Sequence, residues 1–197
     1  AQGGTYSVKI NLQGVARRFR AKPAAIQQEI DAILTHIDTT LSGYNKASQL
    51  SRFNAGEAVV PNETFREVYA VSRKFYIETG GALDVAAGPL FDAWGFGFTT
   101  DSLPSAAVVD SLLAVCGMDK LDENMRSRVP GLHPKLNFNA IAQGYACDRV
   151  AAYLCSIGVK DMLVSIGEIY CDGVNPSGEP WSIGIDCPVD GNMTPGA

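Results

Sequence analysis

The apolar residues of this chain are spaced first by two and then by three or four, and that change of period is the strongest constraint on its fold. Between Thr5 and Gln13, Tyr6, Val8, Ile10 and Leu12 alternate with Ser7, Lys9, Asn11 and Gln13. Strict alternation sets the two groups on opposite faces of a half-buried strand. After Pro23 the spacing becomes Ile26, Ile30, Ile33, Ile37 and Leu41, the stripe of an amphipathic helix with proline in its first turn. A second helix is predicted to start after Asn62, a good N-cap, and to carry Phe65, Val68, Tyr69, Ser72, Phe75 and Tyr76 until Gly80–Gly81 ends it. A third runs from Ser105 to Cys116 and stops at Gly117. Residues 118–135 are charged and irregular, and Leu136–Asn139 reads as a short strand. A fourth helix is expected over Ala142–Ser156, with Gly158 as its terminator. The strands Met162–Ile166, Ile169–Val174 and Trp181–Asp186 follow, separated by Gly167 and by the turn Asn175–Pro180. That order predicts an α+β fold of layered helices on a mixed or antiparallel sheet. A chain of 197 residues fits a single domain.

Bulk properties narrow the function classes. A net charge of −5 argues against a nucleic-acid platform. Its one basic run, Arg17, Arg18 and Arg20, reads as a solvated strand end or turn. No apolar run approaches the ~20 residues that span a bilayer, and Ala1–Thr5 is too short and polar for a signal segment. The cysteines, Cys116, Cys147, Cys155, Cys171 and Cys187, show no metal-ligand spacing. They read mostly as small buried apolar residues. His36, without a partner in its helix, reads as structural or solvated.

Between the second and third helices lies Gly80–Phe98, GGALDVAAGPLFDAWGFGF, dense in glycine and aromatics with only Asp84 and Asp92 charged. Glycines allow tight turns and close approach to a ligand. The aromatics supply flat surfaces that suit a packed core or a planar cofactor. By composition alone core packing is the simpler reading, and Trp94 in particular is expected in the core.

The wording of the segment is specific, however. ALDVAAGPLFDAWGFG resembles the signature of the flavin transferase family, the FAD:protein FMN transferases formerly named thiamine-biosynthesis lipoproteins. Ser42–Asn54, SGYNKASQLSRFN, is similar to the family's Ser-x-Tyr and Ser-x-x-Ser-x-x-Asn pattern. Leu136–Leu154, LNFNAIAQGYACDRVAAYL, followed by LVSIGEIYCDG and PWSIGIDCP, completes the ordered match from Gly4 to Pro188.

The resemblance implies roles that the residues alone leave open. Tyr44, on a loop, either anchors that loop or lies flat on a ring; the resemblance assigns it to stacking on the flavin isoalloxazine. Asn54 is a good turn-former, and the resemblance places it with Ser51 near the active site, as a candidate catalytic residue. Ala82, Leu83 and Asp84 are implied FAD contacts, although Asp84 alone would serve equally as a carboxylate capping a backbone amide. Asn139, Ala142 and Tyr145 lie where a strand is expected to enter a helix, and a helix N-terminus suits a diphosphate. There the resemblance implies FAD contacts at Asn139 and Tyr145 and a Mg²⁺ ligand in the Ala142 carbonyl. An oxygen donor of that kind is chemically sensible for Mg²⁺.

The implied activity is Mg²⁺-dependent transfer of FMN from FAD to a threonine hydroxyl of an acceptor flavoprotein, such as a subunit of a membrane redox complex, with release of AMP. If water attacks instead, the same site is an FAD pyrophosphatase. The family's setting implies an exported lipoprotein on the periplasmic face of a bacterial inner membrane, anchored through a removed N-terminal segment. Gln143 stands where many members carry Lys, which either weakens a phosphate contact or is an ordinary variant. Two departures are expected to matter. SIGEIY has Glu168 where members carry a second glycine. The family's His-Ile-Ile-Asp-Pro-like stretch and Asp…Thr metal motif have no counterpart, and His36 and His133 match neither. The sequence therefore reads as a fragment or a truncated homologue with an incomplete metal site. Its rivals are a non-catalytic FAD-binding protein and a scaffold that binds only protein partners.

Overall fold

A computed structural model of the chain describes residues 5–13, 15, 22–95 and 103–184. The expected strand and helices form where the apolar period sets them, with shifted ends. Strand β1, Ser7–Ile10, is shorter than the alternating pattern. Helix α1, Pro23–Leu41, buries Ile26, Ile30, Leu34, Ile37 and Leu41 along one stripe, with proline in its first turn. No apolar period announces α2, Gln49–Asn54, which Ser48 starts by accepting the Ser51 N–H. Helix α3, Glu63–Glu78, is capped by Asn62, whose side chain accepts the Phe65 N–H. It buries Phe65, Val68, Tyr69 and Ser72, whereas Phe75 stays exposed.

The glycine-rich segment folds into a loop and one short helix, α4, Gly88–Ala93. Trp94 follows it and is 47% exposed, contrary to the expected core position. The reason is local: α4 is six residues long and ends at Trp94, so no second turn folds the indole inward. Helix α5, Ala106–Leu113, is capped by Ser105 and ends before the expected Cys116. Leu136–Asn139 is not a strand. Helix α6, Asn139–Ser156, begins three residues earlier than expected and takes over the last position of that segment. Strand β2, Met162–Ile166, matches the sequence reading, and β3, Glu168–Asp172, reverses immediately after Gly167, at φ +91°. Residues 181–184 are not a strand; 185 and 186 lie outside the described residues, as do Arg17, Arg18, Arg20 and Cys187.

The three strands lie in the order β1-β2-β3, all antiparallel, with Val8 opposite Val164 and Val164 opposite Tyr170. Met162, Val164 and Ile166 point to one face and are buried, and α6 packs on β2 and β3. In turn α1 packs on α6, with α3 against both, which makes the layered α+β arrangement. A contiguous apolar core links Ile30, Leu34, Phe65, Phe138, Val150, Leu154 and Val164. Phe65 and Phe138 meet edge to face with centroids 5.4 Å apart. The cysteines divide: Cys116 and Cys147 are buried, whereas Cys155 and Cys171 are exposed. The expectation of mostly buried cysteines therefore holds for only two of the four described. None of the described helices is long and apolar enough to cross a membrane.

Candidate functional site

Three segments far apart in sequence meet in front of α6. The first is the loop after α1. Ser42 Oγ accepts the N–H groups of Tyr44 (3.2 Å) and Asn45 (3.1 Å), while the Ser48 and Ser51 hydroxyls donate to the Ser42 carbonyl (2.6 and 3.2 Å). These bonds fix a short turn whose Tyr44 ring stands 58% exposed at a cleft mouth. An aromatic left outside the core on a pinned loop has a face to offer a planar ligand.

The second segment, residues 135–140, is joined to the first by Asn54. Its Nδ2 donates to the Leu136 carbonyl and its Oδ1 accepts the Leu136 N–H, both at 2.8 Å. One carboxamide thus replaces a missing strand partner for a residue that is almost fully buried. The third segment, around residues 82–92, is tied in by the Asn137 N–H, which donates to the Val85 carbonyl at 2.8 Å. Asp84 organises this loop: its carboxylate accepts the N–H groups of Ala86 (2.8 Å) and Met118 (3.1 Å). Gly88 allows α4 to lie against the second segment, because a Cβ there would sit 2.6 Å from the Lys135 carbonyl oxygen.

Two adjacent clefts result. The first, of about 370 Å³, is lined by Tyr44, Lys46, Ser51, Asn54, Glu57, Gly88, Asp92, Lys135, Asn137 and Asn139 among others. The second, of about 530 Å³, is lined mainly by apolar groups: Ala82, Leu83, Val85, Phe91 and Ala140, with Asp84, Asn137 and Asn139. Asn137 and Asn139 belong to both. The first cleft is charged. Lys135 pairs with Asp92, and Arg52 pairs with Glu57 at 2.7 Å. Cys116 lies behind the Asp84 loop; burial, and then the nearby Asp84 carboxylate, push its thiol up and keep it protonated.

Of the residues singled out in the sequence, Tyr44, Asn54 and Asn139 come together in the first cleft, and Ala82, Leu83, Asp84 and Asn139 in the second. Ala142 is buried one turn into α6, where a helical carbonyl accepts from the next turn. Tyr145 lies elsewhere, in a groove with Ile33, His36, Thr64 and Arg149. Its hydroxyl donates to Glu67 at 2.6 Å. Burial, followed by that bond, pushes its pKa up to about 12. His36 bonds Thr64 Oγ1 at 3.0 Å in the same groove, as a structural or solvated histidine would.

At the α6 N-terminus, Asn139 N–H is taken by Asn137 Oδ1 (2.9 Å), and the Ile141 and Ala142 N–H groups by the Phe138 carbonyl. The Ala140 N–H, on the second cleft, has no protein partner among the described residues. As for Mg²⁺, no cluster of three or more His, Cys, Asp or Glu side chains forms among the described residues. Asp84 gives its carboxylate to two amides, and Ala142 lies in the first turn of α6, where its carbonyl keeps a second lone pair beyond the helical bond.

The sequence reading missed Gly88, Asp92, Lys135 and Asn137. Asn137 left a local signal, since Asn two residues before another N–H at a helix start is an Asx-turn pattern. Lys135 and Asp92 left none, being 43 residues apart.

Comparison with known proteins agrees on one family. The model of the ApbE family matches residues 3–195. An FAD:protein FMN transferase of Vibrio cholerae is 35% identical over 94% of this chain and 58% of its own length. That of Haemophilus influenzae is 34% identical over 95% of this chain and 57% of its own. The chain thus spans little more than half the length of these curated relatives. Among solved structures, the flavin transferase ApbE from Vibrio cholerae superposes with a TM-score of 0.78 at 33% identity, covering 93% of this chain and 60% of that one. The apo flavinyl transferase ApbE of Pseudomonas stutzeri gives 0.75 at 32% identity, covering 94% and 60%.

Proposed function

This chain belongs to the ApbE family, and on that premise we propose that it serves the transfer of FMN from FAD to a threonine hydroxyl of an acceptor flavoprotein, with release of AMP. The observation that carries the reading is the pair of clefts with a common wall. One has an exposed, pinned Tyr44 at its mouth and charged groups inside; the other is mainly apolar. A molecule with two planar ends joined by a diphosphate matches that division. The flavin ring stacks on Tyr44, the adenine lies along Ala82–Asp84, and the diphosphate crosses at Asn137 and Asn139 near the Ala140 N–H. Backbone amides are suitable diphosphate donors.

In the transfer, the threonine Oγ forms a bond to the FMN phosphorus and the bond from that phosphorus to the bridging oxygen breaks. AMP leaves with the bridging oxygen, and the hydroxyl proton goes to solvent. What these residues contribute is positioning, which converts an encounter of three groups into a reaction between held ones. Asn54 lines the first cleft, and both ends of its carboxamide hold Leu136, so it sets the wall. Mg²⁺ dependence belongs to the same proposal, as does an exported, membrane-anchored setting with a membrane redox-complex subunit as acceptor.

The test is incubation of the chain with FAD, Mg²⁺ and a threonine-bearing acceptor protein, followed by mass spectrometry of the acceptor and assay of AMP. Covalent FMN on threonine with equal AMP supports transfer, and chelation of Mg²⁺ should abolish it. AMP and free FMN without attachment would make the chain a pyrophosphatase. FAD bound but intact would make it a passive binder.

A further inference from the structure

We infer that Lys135 is a phosphate-binding residue of the first cleft, poised by Asp92 and transferred from that carboxylate to a phosphoryl oxygen when a flavin nucleotide enters. The inference rests on the flavin reading above and adds to it the group that recognises the nucleotide's charge.

The backbone of Lys135 is fixed on both sides. Its carbonyl packs against Gly88, and the next residue, Leu136, is clamped by Asn54 at both N–H and C=O. Two residues on, Asn137 is bonded to Val85 and forms part of the wall that the clefts share. The stem of Lys135 therefore leaves an anchored point beside the junction that a diphosphate would cross.

Its ammonium is held inside the cleft by Asp92, with the two side chains 42% and 33% exposed. A pair that accessible is cheap to exchange. A phosphate offers more charge and more acceptor oxygens than one carboxylate, so it competes well for the ammonium. The other basic side chains nearby are less suited. Arg52 does not line the cleft and is committed to Glu57, and Lys46 lines it from the exposed loop beside Tyr44. Asp92 thus does two things: it holds the ammonium in place, and it opposes anions until a phosphate displaces it.

The test is titration of the 197-residue chain with riboflavin, FMN and FAD, followed by flavin fluorescence, for the unaltered protein, Lys135→Gln and Asp92→Asn. Circular dichroism checks that each variant keeps its fold. Lys135→Gln should weaken FMN and FAD about tenfold, the scale of one charge-assisted phosphate contact, and leave riboflavin within about twofold. Asp92→Asn should tighten FAD about threefold by removing the competing carboxylate. Riboflavin weakened as much as FAD by Lys135→Gln would overturn the inference, since the lysine would then only shape the cleft. FAD affinity unchanged in Lys135→Gln, in a chain that does bind FAD, would overturn it while leaving the flavin reading intact. An unaltered chain that binds none of the three would overturn both.

Discussion

Helix α6 with the sheet, and the cleft walls in front of its N-terminus, are held by different forces although they share Phe138. On the packed side, Ala142, Ala146, Cys147, Val150, Ala151 and Leu154 are buried against β2 and α1. That stabilisation is non-directional and spread over many side chains, so no single contact decides the geometry. On the cleft side, Asn54–Leu136, Asn137–Val85 and Asp84–Met118 are directional hydrogen-bonded connections between segments of long sequence separation. Each is backed by only a few polar neighbours, such as Gly117 N–H on the Ala86 carbonyl and Lys135 on Asp92. The packed half sets whether the chain folds, and the stitched half sets whether the two clefts keep a common wall.

The largest expected effect falls where the halves meet. Phe138→Ala removes a fully buried ring from contact with Phe65 and should cost about 3–5 kcal/mol in chemical denaturation. A cost near 1 kcal/mol would mean that the core closes over the site, and the division between the halves would lose its sharpness.

Asn54→Ala should cost about 2 kcal/mol, because it strands the buried N–H and C=O of Leu136. It should also weaken FAD binding more than a change of equal cost on α1, as judged by fluorescence titration. If FAD affinity tracks stability alone in both variants, the cleft walls have no separate status.

A smaller effect is expected in alkali. The Tyr145 pKa of about 12 lies above its ordinary 10.0, so on raising pH the unfolded chain loses that proton first. Stability is therefore full below pH 10 and falls between pH 10 and 12, with Tyr145→Phe flattening part of the fall. Urea denaturation across that range reads it, and an unchanged slope in Tyr145→Phe would remove this tyrosine from the account.

Tyr44→Ala should have the least effect on stability, within about 0.5 kcal/mol, because the ring is exposed. Its flavin affinity should nevertheless fall about tenfold, the scale of one lost aromatic stack. A variant that binds FAD unchanged would move the flavin ring away from the first cleft.

How far these features were legible in the chain follows the same division. The Ile26–Leu41 stripe and the Asn62 cap announce α1 and α3, because a period and a cap are local properties. Helix α2 was not legible: six residues carry too few turns for a period. Leu136–Asn139 reads as a short strand, and its burial does alternate, since Leu136 and Phe138 point inward. Its backbone bonds go instead to a carboxamide and to a loop, and α6 claims Asn139. Composition misplaces Trp94 because it reports what a segment contains and not where its helix stops.

By itself the sequence determined the family, through motifs that stand in order along the chain, and the α+β layering, through periods that neighbouring residues enforce. It could also nominate Tyr44, Asn54 and Ala82–Asp84 one segment at a time. Only the tertiary structure decided that two clefts share Asn137 and Asn139, that Lys135 faces Asp92, and that Tyr145 lies in another groove. Those relations join residues tens of positions apart, and no local spacing encodes them. They are fixed by where the packed core sets each segment and by which single hydrogen bonds then tie the segments together.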